Sequence, residues 1–183
     1  NTYHVAIGQG DVLTTPLQVN AWTNVIANGG KLCRPHLAEI KNEQCTDLGI
    51  KKENITLIRE GMEEACSSGG TGWPLFQFKV KSVTASAGSR PDGGKKLKVD
   101  GVDFFETFES TTSANKIVGI PVACKTGTAE YGDPKGHTHA SFTVFAPVNN
   151  PQISVTVLVE GGGEGSNVAA PIAKKILERW FGQ

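Results

Sequence analysis

Apolar residues recur at steps of three and four residues in three stretches of the chain, a spacing that predicts helices with an apolar face. A hydroxyl or amide residue before the first and the last of these runs marks where the helix begins. Glycine-rich segments mark where the first two end. The predicted helices run from Pro16 to Asn28-Gly29-Gly30 with Thr14 or Thr15 as cap, from Lys51 or Asn54 to Cys66, and from a cap at Ser166 or Asn167 to Phe181.

Three segments after residue 120 are rich in β-branched and apolar residues and predict strands. They are Pro121 to Ala129, Ala140 to Ala146 and Gln152 to Glu160. The connection 147–151 is short enough for the last two strands to pair in antiparallel fashion. Two early helices, three strands and a terminal helix predict an α+β fold, in which an antiparallel sheet of about three strands packs against helices.

The pattern loosens between residues 71 and 121, where glycine, serine and lysine are frequent and Trp73-Pro74 interrupts any regular element. Inside this region, alternating apolar residues on both sides of Asp100-Gly101 predict a β-hairpin. We therefore expect one domain over residues 1–183 that carries an insertion at about 78–119.

Charge gives no indication of a highly charged partner. The chain has 18 basic and 18 acidic side chains, so no net field attracts nucleic acid or an anionic membrane. The basic cluster of Lys95, Lys96 and Lys98 is followed by acidic residues, which is typical of a solvated hairpin. No apolar run approaches the roughly 18 to 20 residues that a membrane span requires. We therefore expect no nucleic-acid partner.

The cysteines and histidines suggest no metal or cofactor site. The four cysteines form no Cys-x-x-Cys pair and are too few for a disulfide scaffold: Cys33, Cys45, Cys66 and Cys124. We expect buried free thiols, with a bridge between Cys33 and Cys45 as the alternative in an oxidising compartment. His137 and His139 form an isolated His-x-His without other ligands at metal spacing.

The segment Lys125-Thr126-Gly127-Thr128 holds the most informative chemistry of the chain. β-Branched residues lead into a lysine, a hydroxyl and a glycine, which suits a sheet-edge strand that binds an anionic peptide end against its backbone. For Lys125 alone, a surface lysine that protects a strand edge is the alternative. The tetrapeptide is also one of three motifs of the serine enzymes that are acylated by cell-wall peptides or β-lactams.

Further short blocks follow one another along nearly the whole chain. They are Ala6-Ile7-Gly8-Gln9-Gly10, Thr15-Pro16-Leu17-Gln18-Val19, Ala27-Asn28-Gly29-Gly30-Lys31, Arg34-Pro35-His36, Glu60-Gly61-Met62, Lys125-Thr126-Gly127-Thr128-Ala129-Glu130, His139-Ala140-Ser141-Phe142, Phe145-Ala146-Pro147 and Val159-Glu160-Gly161-Gly162-Gly163. With these blocks in this order, the chain resembles the C-terminal half of the transpeptidase domain of a class B penicillin-binding protein. The resemblance implies a partial β-lactamase/transpeptidase-like fold.

The resemblance implies a role for each residue of the tetrapeptide. The catalytic residues of this segment would be Lys125, Thr126, Gly127 and Thr128. Of these, Lys125, Thr126 and Thr128 would bind the substrate. The Ser-x-x-Lys and Ser-x-Asn motifs of such enzymes lie before residue 1, so we expect this segment to lack the nucleophile and to be inactive alone. Ser113-Ala114-Asn115-Lys116 matches both motifs as a string, but the motifs must be separate groups around the substrate.

The resemblance also implies a reaction and its partners. Such an enzyme crosslinks peptidoglycan stem peptides through a serine acyl-enzyme, is acylated by β-lactams, and works at the extracytoplasmic face of the bacterial cytoplasmic membrane. Division or elongation proteins are further expected partners. Two alternatives stay open: a serine β-lactamase or D,D-carboxypeptidase, and a non-catalytic binding or scaffolding module whose insertion contacts a partner.

Three further interpretations concern loops and edges. Gly72 stands where the family often has alanine, and the insertion replaces a short connection of the family.

Gly8-Gln9-Gly10 is interpreted as a chain reversal, and the glycine-rich segment 161–167 as a flexible connector. Half a domain leaves open sheet edges, so we expect the isolated chain to associate with itself.

Overall fold

A computed structural model describes residues 2–6, 8–10, 12–38, 44–82, 96–99, 102–105, 116–132 and 134–182. Its helices are α1 (Thr2–Ala6), α2 (Pro16–Ala27), α3 (Lys52–Ala65) and α4 (Ala169–Phe181), with a 3-10 turn at Trp73–Leu75. Its strands are β1 (Lys31–Cys33), β2 (Cys45–Asp47), β3 (Lys79–Ser82), β4 (Lys96–Val99), β5 (Val102–Phe105), β6 (Lys116–Gly119), β7 (Ala123–Glu130), β8 (Thr138–Ala146) and β9 (Ile153–Val159). The predicted α+β class is confirmed.

The centre of the structure is an antiparallel sheet in the order β7-β8-β9. β7 pairs with β8 from Ala123 opposite Phe145 to Glu130 opposite Thr138. The three predicted strands are confirmed, although the first begins at Ala123 rather than Pro121. β8 is therefore the central strand, and the outer edges of β7 and β9 have no partner strand among the described residues.

Both faces of this sheet are covered. Successive side chains of β8 point to opposite sides, so each face contributes to a different core cluster. Phe142 and Val144 belong to the larger core cluster, together with Leu177 of α4. Phe145 points to the other face and packs with Ala27 at the end of α2. All five side chains are almost fully buried. The sheet is thus enclosed between α4 on one side and α2 on the other.

α2 begins and ends where its sequence signals place it. Thr15 is the N-cap: its hydroxyl accepts from the Gln18 N–H at 3.2 Å, and the Gln18 side chain accepts from the Thr15 N–H at 2.9 Å. This reciprocal pair is a capping box, and Pro16 follows at a position that needs no N–H donor. Gly29 and Gly30 adopt positive φ angles directly after the helix, which allows the chain to turn.

A chain of hydroxyl and amide groups connects α2 to the sheet. The Thr143 hydroxyl of β8 lies 2.8 Å from that of Thr23 on α2 and 2.8 Å from that of Thr156 on β9. Asn20 donates to the Thr156 hydroxyl at 3.2 Å and accepts from Ser154 at 3.0 Å. Because a buried hydroxyl without a partner is costly, these bonds fix the position of α2 on the sheet.

The predicted cap of the last helix is wrong. α4 begins at Ala169 after Val168, and no side chain caps it. Backbone carbonyls take over this role: Glu164 accepts from the Val168 N–H at 3.1 Å, and Gly165 accepts from the Ala170 N–H at 2.8 Å. The preceding turn therefore satisfies N–H groups that a serine or asparagine side chain would otherwise bind.

α4 carries two apolar rows, of which one is buried. The buried row consists of Ala169, Ala170, Ala173, Leu177 and Phe181. The other row remains 42, 41 and 47 % exposed at Ile172, Ile176 and Trp180. Helical spacing thus predicted the apolar positions but not which of them are covered. Across the described ranges, none of the helices combines the length and the hydropathy that crossing a membrane requires.

The expected insertion begins and ends in a two-stranded ribbon. β3 pairs with β6 in antiparallel fashion, with Lys79 opposite Gly119. The hairpin predicted within it is confirmed, because β4 pairs with β5 and Val99 lies opposite Val102. The Asp100-Gly101 turn itself lies outside the described residues.

The expectation of free thiols is wrong, because the four cysteines form two disulfides. Cys33 and Cys45, the pair considered as an alternative, lie opposite each other in the β1–β2 ribbon. Cys66 and Cys124 are 58 positions apart in sequence. They meet because the end of α3 lies against β7, a contact that no local sequence pattern indicates.

Replacing Thr143 by valine should lower the free energy of unfolding by about 1 to 3 kcal/mol, because the hydroxyls of Thr23 and Thr156 lose a buried partner. The matched control is Thr46→Val, since Thr46 is exposed on β2. We expect the control to change stability by less than about 0.5 kcal/mol. Chemical denaturation measures both variants, and equal effects would contradict a stabilising role of the hydroxyl chain.

The isolated chain should associate with itself. The outer edges of β7 and β9 present unpaired backbone groups within the described residues, and the second row of α4 exposes large apolar side chains. Light scattering of the purified segment at high concentration should therefore give a mass of at least a dimer. A monodisperse monomer under these conditions would contradict the expectation.

Candidate functional site

The segment Lys125-Thr126-Gly127-Thr128 lies in the middle of β7, which among the described residues is an edge strand of the central sheet. The lysine and the second threonine are exposed, and the two residues between them are half-buried. The strand residues before this segment are fully buried. The core thus anchors the first part of the strand, and the segment itself lies at the surface.

The register with β8 assigns the four residues of the motif to alternating faces of the sheet. Lys125 lies opposite Thr143, whose hydroxyl contacts α2. Lys125 and Gly127 therefore lie on the α2 side, while Thr126 and Thr128 lie on the α4 side, because successive strand residues alternate. The free edge of β7 is the feature that all four residues share.

Two backbone carbonyls on this free edge can be assigned from their hydrogen bonds. The Lys125 ammonium donates to the Thr126 carbonyl at 2.6 Å. The side-chain amide of Gln9 donates to the Thr128 carbonyl at 3.0 Å. Both carbonyls therefore point away from β8. Since the N–H and C=O of one antiparallel strand residue point to the same side, the N–H groups of Thr126 and Thr128 also face the free edge.

Sequence reasoning missed two residues that contact the motif. The sequence places Gln9 in a chain reversal and in one of the short blocks of the resemblance, without a contact to the motif, yet its side chain reaches β7. Thr71, in the turn after α3, accepts a hydrogen bond from the Thr126 hydroxyl at 2.8 Å. A single glutamine or threonine in a turn carries no recognisable chemistry, so only the three-dimensional arrangement reveals these contacts.

Gly127 lies in a tightly packed part of the sheet. A Cβ atom there would meet the hydroxyl of Ser141, its partner on β8. Gly165 approaches the same strand pair from the loop before α4. A Cβ on Gly165 would lie 2.7 Å from the Gly127 carbonyl oxygen and 3.1 Å from its nitrogen. The motif strand and this loop are therefore in backbone contact, which leaves no room for a side chain at Gly165.

The glycine-rich segment 161–167 is held in place rather than acting as a free connector. The Gly163 N–H donates to the Thr138 carbonyl at 2.9 Å, and the Thr138 hydroxyl donates to the Gly163 carbonyl at 3.0 Å. Asn167 donates to the Glu164 carboxylate at 2.8 Å. Together with the approach of Gly165, these bonds make the segment a support for β7 and β8.

His139 also contributes to this support. Its ring stacks on Tyr131 with centroids 4.0 Å apart, and its Nδ1 accepts from the Gly161 N–H at 3.0 Å. Among the described residues, no group of three or more histidine, cysteine or acidic side chains is placed to hold a metal ion. The contacts of His139 are those of a structural residue.

The groups on β7 can bind an anion and a peptide backbone. They comprise one exposed ammonium, two hydroxyls and outward-facing N–H and C=O groups. Ser113-Ala114-Asn115, the main part of the serine-containing string considered above, lies outside the described residues.

Comparison with known proteins identifies the family. The family described as penicillin binding protein transpeptidase domain matches residues 1–111 and 95–178. The chain therefore belongs to this family, and the resemblance drawn from the short sequence blocks is confirmed.

The peptidoglycan D,D-transpeptidase MrdA of Haemophilus influenzae is 29 % identical over 196 residues, which cover 100 % of this chain and 26 % of that protein. The solved complex between penicillin-binding protein PBP2 and MreC from Helicobacter pylori shows 30 % identity and a TM-score of 0.64, covering 98 % of this chain and 27 % of that one. Penicillin-binding protein A of Mycobacterium tuberculosis, solved as a ceftriaxone acyl-enzyme complex, shows 26 % identity and a TM-score of 0.61, covering 96 % and 34 %. The chain thus spans about a quarter to a third of these proteins.

Replacing Gly165 by alanine should lower the free energy of unfolding by about 1 to 3 kcal/mol, because the added Cβ forces the loop away from Gly127. Hydrogen exchange of the β7 amides should also become faster. The matched control is Gly61→Ala in α3, where a Cβ meets nothing within 4 Å. Denaturation and exchange measure both, and unchanged β7 protection in Gly165→Ala would contradict the supporting role.

Proposed function

We propose that this chain forms the substrate-binding half of a peptidoglycan D,D-transpeptidase domain, which crosslinks cell-wall stem peptides through a serine acyl-enzyme. The observation that carries the proposal is the free edge of β7, where a cation, hydroxyls and outward-facing backbone groups lie together. Family membership and the names of the relatives support the reaction class. From the family resemblance we assign the attacking serine to a segment outside these 183 residues, and we expect the chain alone to be inactive.

Lys125, Thr126 and Thr128 bind the carboxylate at the end of the stem peptide. The Lys125 ammonium is exposed and bonded to a neighbouring backbone carbonyl, from which it can turn to an anion at the same edge. A charge-assisted hydrogen bond to a carboxylate is stronger than this neutral contact. The Thr128 hydroxyl adds a neutral donor. The Thr126 hydroxyl adds a second one when its bond to Thr71 reverses, so that Thr71 donates and the Thr126 O–H turns to the carboxylate. In the same position, Lys125 assists proton transfer during acylation.

The Thr128 N–H stabilises the oxyanion that forms when serine attacks the peptide carbonyl. Its orientation towards the free edge follows from the carbonyl of the same residue, which bonds Gln9 outside the sheet. A fixed N–H donor at the developing negative charge lowers the activation barrier, and the N–H of the attacking serine supplies the second donor.

The substrate peptide lies along the free edge of β7 as an added strand. Edge N–H and C=O groups bind its backbone, in the manner of β-strand addition. Gly127 places no side chain on the α2 side of this edge. Since Gln9 occupies the Thr128 carbonyl, a peptide that pairs with this carbonyl displaces the Gln9 amide.

The disulfides support a location at the extracytoplasmic face of the bacterial cytoplasmic membrane. Disulfides persist in oxidising compartments and are rare in the reducing cytosol. Both cysteine pairs of the chain are oxidised. A peptidoglycan transpeptidase also meets its substrate on this side of the membrane.

β-Lactams and a protein of the division or elongation machinery are the further partners that we propose. A related penicillin-binding protein was solved as a ceftriaxone acyl-enzyme, and another was solved in complex with MreC. The insertion is the segment that we assign to a protein partner, because its described strands form two-stranded sheets apart from the central sheet.

Lys125→Ala in the full-length protein should lower the second-order rate of labelling by a fluorescent penicillin by about 10- to 150-fold, the loss expected for one charged hydrogen bond. Gly127→Val should lose most of the labelling as well, because the added side chain meets the Ser141 hydroxyl and displaces the strand that binds the ligand. Gel fluorescence with increasing penicillin concentration measures both rates.

The matched control is Lys31→Ala, which removes an exposed strand lysine outside β7 and should label like the wild type. Normal labelling of both β7 variants would contradict the proposed site. Rapid turnover of nitrocefin by the unmodified protein would instead favour the β-lactamase alternative.

A further inference from the structure

The disulfide between Cys66 and Cys124 lies directly behind the proposed binding residues. Cys124 immediately precedes Lys125 on β7, and Cys66 is the first residue after α3. Both cysteines are almost completely buried, at 0 and 4 % exposure. A covalent link therefore joins the end of a helix to the motif strand, one residue before the lysine.

Gly72 packs against this disulfide. A Cβ atom at position 72 would meet the Cys124 sulfur, lie 3.1 Å from the Cys66 sulfur and lie 2.9 Å from the Ala65 carbonyl oxygen. Its φ angle of −87° is one that any residue adopts, so space and not backbone conformation requires glycine here. The sulfur atoms beside position 72 therefore leave no space for a side chain there.

The same turn contacts β7 a second time. The Gly72 N–H donates to the Ala65 carbonyl at 2.7 Å, which closes the turn after α3. Thr71, the preceding residue, accepts from the Thr126 hydroxyl at 2.8 Å. The segment 66–72 thus holds β7 by a covalent bond on one side of Lys125 and by a hydrogen bond on the other.

We propose that the Cys66–Cys124 disulfide and Thr71 are positioning residues for the carboxylate-binding part of β7. An edge strand has a neighbour on one side only, so its exposed end opens more readily than a central strand. The segment 66–72 restricts this motion from outside the sheet and orients the Thr126 hydroxyl. This inference rests on the proposed function, because it gives a substrate-positioning role to contacts with the same strand.

The test compares two acylating ligands on the full-length protein: penicillin G, which has a free carboxylate, and its methyl ester, which lacks the charge. Thr71→Val and the double variant Cys66→Ala/Cys124→Ala should each lower the acylation rate constant for penicillin G by about 3- to 10-fold, the effect of one lost hydrogen bond. The rate constant for the ester should change by less than about twofold. Thr71→Ser, which keeps the hydroxyl, should restore the wild-type value.

The matched control is Cys33→Ala/Cys45→Ala, which removes the disulfide of the β1–β2 ribbon and should leave both rate constants unchanged. An equal loss for penicillin G and its ester would show a general structural effect and overturn the positioning role. Unchanged rates for both ligands would overturn it as well. Thr71→Val retains the disulfide, so it tests the inference even if the cysteine-free variant does not fold.

Lys125→Ala separates this inference from the proposed function. If Lys125→Ala loses the preference for the free carboxylate and the Thr71 and cysteine variants keep it, the binding site stands and only the positioning role fails. If Lys125→Ala itself keeps the wild-type preference, the proposed function fails and the positioning role fails with it.

Discussion

The pairing of β7 with β8 is the constraint on which the candidate site depends. β8 is buried on both faces, with Phe142 towards α4 and Phe145 towards α2. A shift of one residue would turn each of these side chains to the wrong face, so the register of β8 is fixed by burial. β7 follows β8 residue by residue. The location of Lys125 is therefore determined by apolar side chains that take no part in its chemistry.

The sequence predicts best those elements that local signals determine. α2 forms between a threonine cap with proline and a pair of glycines, and the structure reproduces these bounds. The three strands follow from their β-branched residues, and the hairpin within the insertion follows from alternation around Asp100-Gly101. The lysine, hydroxyl and glycine of the motif predicted an edge strand, and β7 is an edge strand of the central sheet among the described residues.

The parts that the sequence does not predict depend on contacts between distant residues. The Cys66–Cys124 pair requires α3 to lie against β7, and the support of β7 by Gly165 requires a loop from beyond β9. The predicted side-chain cap of α4 is wrong, because backbone carbonyls accept the hydrogen bonds of the N–H groups at the start of the helix. Helical periodicity, finally, cannot distinguish the buried row of α4 from the exposed one, since both recur at the same spacing.

An edge strand that binds a peptide meets two opposing requirements. Its outer hydrogen-bonding groups must remain available, yet an available edge also pairs with other chains and opens readily. The structure holds β7 by contacts that leave much of this edge accessible: β8 on the inner side, Gly165 at Gly127, and the segment 66–72 through a disulfide and Thr71. A lysine on the edge discourages pairing with a further apolar strand while attracting an anionic peptide end. The protective role of Lys125 and its proposed binding role are therefore two consequences of one charge rather than alternatives.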